Sequence, residues 1–210
     1  MTAVVGFSLF ALLVTMAPGP DTVLVLRNCV RGGRFTGIAT ALGAGAGSLA
    51  WALGAAVGLA AVLQQWDAAF AAIRLAGAAY LIFLGVQSLW AHRRGAGSRP
   101  EVSGGLAGPI PTTGQAFRQG LLSCLLNPKV GIFFVAVVPQ FLPDGYSVLS
   151  ATLVLGVIDA VIAALWLTLV AAFAARMLTW LRRPRVNTAL ERTAAGVLVA
   201  LGVGTAAETL

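Results

Sequence analysis

MAPGPDT, residues 16–22, sets two prolines, a glycine and an aspartate inside a stretch that is otherwise apolar. Proline removes a backbone donor and clashes with the preceding helical turn. A charged side chain at the centre of a bilayer costs at least ~2.5–3.5 kcal/mol. A helix breaker and a charge in one apolar segment therefore call for a common explanation. Of the 210 residues, 59% are hydrophobic and 10% charged, and the mean hydropathy is +0.90. Soluble domains carry about 25% charged residues. A soluble core of this size cannot hide so much apolar surface, so the bilayer is the solvent.

Apolar runs of about 20 residues fall at 3–26, 36–63, 68–91, 117–142, 147–175 and 189–207. They predict an all-α polytopic membrane protein with six transmembrane helices. The chain reads as a single transporter domain, 1–210, with halves 1–91 and 117–210 around a cytoplasmic loop, 92–116. The longest polar stretch, HRRGAGSRPEVSGGLAGPIPTTGQ at 92–115, is rich in Gly, Pro and Ser and reads as that loop. The N-terminus lacks the basic start of a cleavable signal, since the first positive side chain is Arg27.

The positive charges fix the orientation. Arg27, Arg31 and Arg34 follow span one; Arg93, Arg94, Arg99 and Arg118 lie between spans three and four; Arg176, Arg182, Arg183, Arg185 and Arg192 follow span five. All twelve fall on one side of the membrane, whereas the opposite turns and the tail carry Asp67, Asp144 and Glu208, with Arg74 nearby. The positive-inside rule puts both termini outside. The net charge of +7 is thus topological: it faces anionic lipid, not nucleic acid.

Three ionisable residues lie deep in spans: Asp21, Lys129 and Asp159. Asp21 follows Pro18-Gly19-Pro20, and Lys129 follows Asn127-Pro128. Asp21 and Lys129 could simply neutralise each other to seal the bundle, although a buried pair is not automatically stabilising. Alternatively, they line a polar cavity with Asp159 and bind substrate or protons. Pro18, Pro20 and Pro128 free backbone carbonyls, which membranes tolerate only in protein interiors or beside water-filled cavities. Each helix end attracts an ammonium or a carboxylate, and a zwitterionic amino acid carries both. Shifting the chain by 108 positions lays Pro20-Asp21 over Pro128-Lys129 and Phe35-Thr36-Gly37 over Pro143-Asp144-Gly145. Spans one and four would then correspond in a 3+3 repeat, which with three spans per half is inverted.

Span two is rich in small residues: Gly43, Gly45, Gly47, Ser48, Gly54 and Gly58. The Gly43/Gly47 and Gly54/Gly58 spacings allow close helix approach, either inside one protomer, the preferred reading, or at a homodimer seam. Tyr80 in span three could reach a cavity or a neighbouring helix. Trp66, Trp90 and Trp180 fall near span ends, while Trp51 and Trp166 are deep enough to be packing residues.

Pro18-Gly19-Pro20, the turn Arg31-Gly32-Gly33-Arg34-Phe35-Thr36-Gly37 and the small-residue span two resemble the LysE/RhtB family of amino-acid exporters. So does Gly77-Ala78-Ala79-Tyr80-Leu81-Ile82-Phe83-Leu84-Gly85. The strongest match is Phe117-Arg118-Gln119-Gly120 leading to Leu126-Asn127-Pro128-Lys129, then Phe133-Phe134 and Pro139-Gln140-Phe141. The likeness covers the whole chain. It implies secondary efflux of amino acids or close derivatives from a prokaryotic cytoplasm across the plasma (inner) membrane, by proton antiport, with no cofactor.

In that reading Asp21 or Asp159 binds the substrate ammonium or the coupling proton. Lys129 or a helix N-terminus binds the carboxylate. Should Asp21 pair with Lys129, Asp159 is the better proton carrier. Metal-ion export is the weaker alternative, because two isolated aspartates beside a lysine make a poor cation site. A thiol-redox carrier would use Cys29 and Cys124, but neither adjoins a proline, and a buried thiol usually serves as a small hydrophobe. An enzyme is not expected: the sole histidine, His92, is at a loop edge, so no Ser–His pair can form in the membrane. A Cys29→Ser/Cys124→Ser protein is expected to keep transporting; loss of transport specific to both thiols would favour the redox carrier.

Overall fold

The computed structural model describes residues 2–65, 110–142, 145–174 and 176, with individual positions between 72 and 86 and between 189 and 207. Every described position in those last two stretches is helical, as expected for spans three and six. Tyr80, Trp66, Trp90, Trp180, Asp67, Arg74, Asp144 and residues 92–109 lie outside the described residues.

The ordered elements are α1 (Thr2–Met16), α2 (Pro20–Gly32), α3 (Arg34–Gln65), α4 (Thr113–Leu125), α5 (Pro128–Ile132) and α6 (Val148–Ala172). α5 continues through a π-turn, Phe133–Val137, and a 3-10 turn, Val138–Phe141. The protein is an all-α polytopic membrane protein. Arg34–Ala61 and Val148–Ala172 are each long and apolar enough to span a bilayer alone. Val4–Met16 with Pro20–Gly32 and Thr113–Leu125 with Pro128–Phe141 do so as bent pairs, at 54° and 52°. Spans one and four, expected to be broken at their prolines, thus bend almost equally.

Two boundaries differ from expectation. Span one does not end at Leu26: α2 carries Arg27 and Arg31 on a helix to Gly32. Its buried residues Thr22, Val25, Leu26 and Cys29 recur at helical spacing, so amphipathicity extends it where apolarity stops. The second correction is that span four begins at Thr113 rather than 117, within the expected loop. The Thr112 hydroxyl accepts from the Gln115 N–H and the Gln115 side chain accepts from the Thr112 N–H. That capping box starts the helix in polar sequence. The breaks fall where the prolines do: Pro20 and Pro128 stand at the first turn of their helices, where the missing N–H costs nothing. They start new helices more than they kink old ones.

α3 runs against α2, α4 and α6. Gly33, with φ +81°, turns the chain from α2 into α3 within one residue. A Cβ on Gly43 would strike the Phe117 carbonyl oxygen, and one on Gly120 would strike that of Thr40. α3 and α4 therefore touch backbone to backbone. Gly47 is similarly filled by Cys124, so the Gly43/Gly47 spacing packs within the protomer, as preferred. Gly54 and Gly58 meet nothing within 4 Å among the described residues.

Two apolar clusters result. Phe7, Phe10, Phe133, Phe134 and the adjoining Phe141 bring α1 onto α5 and its continuation; Val25, Leu26, Cys29, Leu167 and Val170 join α2 to α6. Trp51 packs against both clusters. Gly43→Ala is expected to destabilise the protein by about 1–3 kcal/mol, because the obstacle is backbone and cannot rotate away. Gly54→Ala is expected to be neutral or slightly stabilising. Thermal unfolding in detergent checks both.

Candidate functional site

The proline breaks free specific backbone groups, and the partners of those groups build the site. Pro18 has no N–H for the Val14 carbonyl, four residues earlier, and the chain leaves the helix before Ala17 can be bonded from Asp21. The Lys129 ammonium donates to both carbonyls, at 2.5 Å to Val14 and 3.0 Å to Ala17. Lys129 therefore caps the C-terminus of α1, where the helix dipole is negative and a cation is favoured. In span four, Pro128 leaves the Cys124 carbonyl without its helical donor. The Trp51 indole N–H donates to it at 3.3 Å, together with the Asn127 N–H at 3.1 Å.

Asn127 connects the two breaks. Its Oδ1 accepts from the Lys129 N–H at 3.0 Å, capping α5, and its Nδ2 donates to Asp21 Oδ2 at 2.8 Å. Ser123 Oγ donates to Asp21 Oδ1 at 2.5 Å. Asp21 itself stands in the first turn of α2, at the positive end of that helix. Both of its oxygens thus have neutral donors from span four. Besides any mutual attraction, each of the two charges therefore holds a broken helix end. Asp21 is held by Ser123 and Asn127, and Lys129 binds the α1 carbonyls.

Asp159 lies on α6, where it is 7% exposed, and accepts from Ser48 Oγ of α3 at 2.5 Å. Asp21, Asp159, Lys129, Asn127 and Gly19 all line one cavity of about 70 Å³. Ser48, Thr15, Thr22, Cys124 and Phe133 share its wall. Pro18, Pro20 and Pro128 are not among its lining residues; they shape it by ending and starting helices. Ser48 and Ser123 were not predicted as site residues. Ser48 was visible only as a small residue among glycines, and Ser123 is a common residue in an amphipathic stretch. Only their partners reveal them.

The two thiols take different surroundings. Cys124 lines the cavity, whereas Cys29 is buried with its Sγ 3.7 Å from the Ala171 carbonyl. Among the described residues no three His, Cys, Asp or Glu side chains gather as a metal site would require. A second buried polar group lies toward the α2–α3 turn: Asn28 Nδ2 donates to Thr40 Oγ1 and to Gln119 Oε1, each at 2.9 Å.

The sequence is similar to that of a membrane protein of Pseudomonas aeruginosa, with 34% identity across 97% of this chain and 94% of the relative. It is 28% identical to a Bacillus subtilis membrane protein, over 98% of this chain and 99% of the relative. It is 27% identical to a Salmonella typhimurium protein named homoserine/homoserine lactone efflux protein, over 94% of this chain and 92% of the relative. No solved structure matches. The LysE type translocator family matches residues 12–209, nearly the whole length, and this multi-pass membrane protein belongs to that family.

Proposed function

We propose that the protein exports amino acids or close derivatives from a prokaryotic cytoplasm across the plasma membrane, exchanging them for protons by alternating access. One observation carries the reading. Two carboxylates, an ammonium and two helix N-termini converge on one small cavity at the broken segments of two spans. Broken helices in corresponding positions of two halves mark transport sites. Here the halves are 1–91 and 117–210, related as an inverted repeat. The efflux relative supports the substrate class, since homoserine and its lactone both carry an amine.

The roles divide by surroundings. Asp21 is anchored from both oxygens by Ser123 and Asn127 and sits at a helix N-terminus. It is a fixed negative point at which a substrate ammonium docks. Asp159 stands mid-helix with one hydroxyl donor, and is the proton carrier. The substrate carboxylate meets Lys129 and the α5 N-terminus across the cavity.

The growth of cells with and without the gene on toxic amino-acid analogues and dipeptides identifies the substrate class, and counterflow in proteoliposomes confirms it. Asp21→Asn is expected to weaken counterflow at low substrate by at least about tenfold, the scale of one lost charged contact. Asp159→Asn is expected to keep counterflow but lose acceleration by an imposed pH gradient, inside alkaline. Proton-driven export undiminished in both variants would overturn the assignment.

A further inference from the structure

We infer that Phe133 sets the upper size limit on the substrate side chain, an inference that rests on the export reading above. Asp21, Asn127 and Lys129 line the cavity where the helices break, while Ser48 and Asp159 line it from the unbroken α3 and α6. Phe133 lies six residues beyond Asn127 along the same broken span, about 9 Å on at helical rise. It is four residues past Lys129, on the same helical face. A substrate held by its amine and carboxylate at the break therefore points its side chain along α5 toward this ring.

The ring is held from three sides. It stacks on Phe10 at 6.2 Å with an interplanar angle of 13°, leans on Phe7 at 5.6 Å, and meets Phe134 edge-on at 5.7 Å. It is 5% exposed. The other bulky apolar walls, such as Val14, Val130 and Leu167, are aliphatic and lack such a clamp. Phe133 also opens the π-turn, a departure from regular helix that is frequent at functional sites. The space itself is small. A cavity of about 70 Å³ holds roughly five to seven water-sized bodies. That volume suits a short side chain better than a long one.

The test is counterflow in proteoliposomes with alanine, homoserine, leucine, methionine, lysine and phenylalanine, for wild type, Phe133→Ala, Phe133→Leu and, as a control, Phe173→Leu at an exposed ring outside the cavity wall. Wild type is expected to favour the short substrates. Phe133→Ala and Phe133→Leu are expected to raise the rate of long relative to short substrates by about tenfold or more, the scale of one or two methylenes in a close-fitting pocket. Phe173→Leu is expected to leave the ranking as in wild type. An unchanged ranking in both Phe133 variants overturns the inference. So does loss of all transport in both while Phe173→Leu still transports, since the ring would then be a structural pillar. Wild-type protein that moves none of the six substrates overturns the export reading first, and the size limit with it.

Discussion

The fold turns on two carbonyls at the end of α1. Pro18 denies Val14 its donor, the chain turns before Ala17 finds one, and both oxygens lie at membrane depth beside an apolar cluster. An unsatisfied backbone oxygen in such surroundings costs about 1–3 kcal/mol. Lys129 answers both at once. The ammonium carries its own insertion cost of about 2.5–3.5 kcal/mol, and two charge-assisted bonds at a helix C-terminus offset it. Neither the break in span one nor the charge in span four is tolerable alone; together they are.

The converse contact runs the other way. Asp21, from the broken span one, is held by Ser123 and Asn127 on either side of the break in span four. Asn127 uses both ends of its amide, one to start α5 and one to hold Asp21. The two spans therefore cap each other. That reciprocity fixes their relative depth, because sliding either by one helical turn would unpair a lysine, an aspartate and two helix ends together. It also keeps a gap open between the breaks. The two spans bend by 54° and 52°, and Ala17 and Gly19 of the first break and Asn127 of the second stand in the cavity wall.

Much of this was legible in the sequence. The apolar runs, the paired Pro-plus-charge segments and the lone Asp159 give the span class and five of the residues that line the cavity: Gly19, Asp21, Asn127, Lys129 and Asp159. What was not legible follows from which signals have a period. α2 is amphipathic beyond Leu26, so hydropathy alone ends it early. The start of α4 depends on the Thr112 and Gln115 side chains, which an apolar scan passes over. The partner of a charge has no one-dimensional signature. Asp21 beside Lys129 in the two-half alignment shows nothing of the carbonyls and amides that each also meets, and short hydroxyls such as Ser48 and Ser123 disappear among small residues.

Magnitudes separate the three embedded charges further. Lys129 and Asp21 have structural reasons to exist, since each holds a broken end in place. Asp159 has no such reason. It lies in the middle of an unbroken helix, and its one hydroxyl donor, Ser48, would need no partner if both were small apolar residues. Replacing buried polar pairs with apolar groups of similar shape is often neutral or stabilising. The contact of Ser48 with Asp159 joins α3 to α6, but unlike the other two charges it holds no broken helix end, so neither break depends on the charge of Asp159.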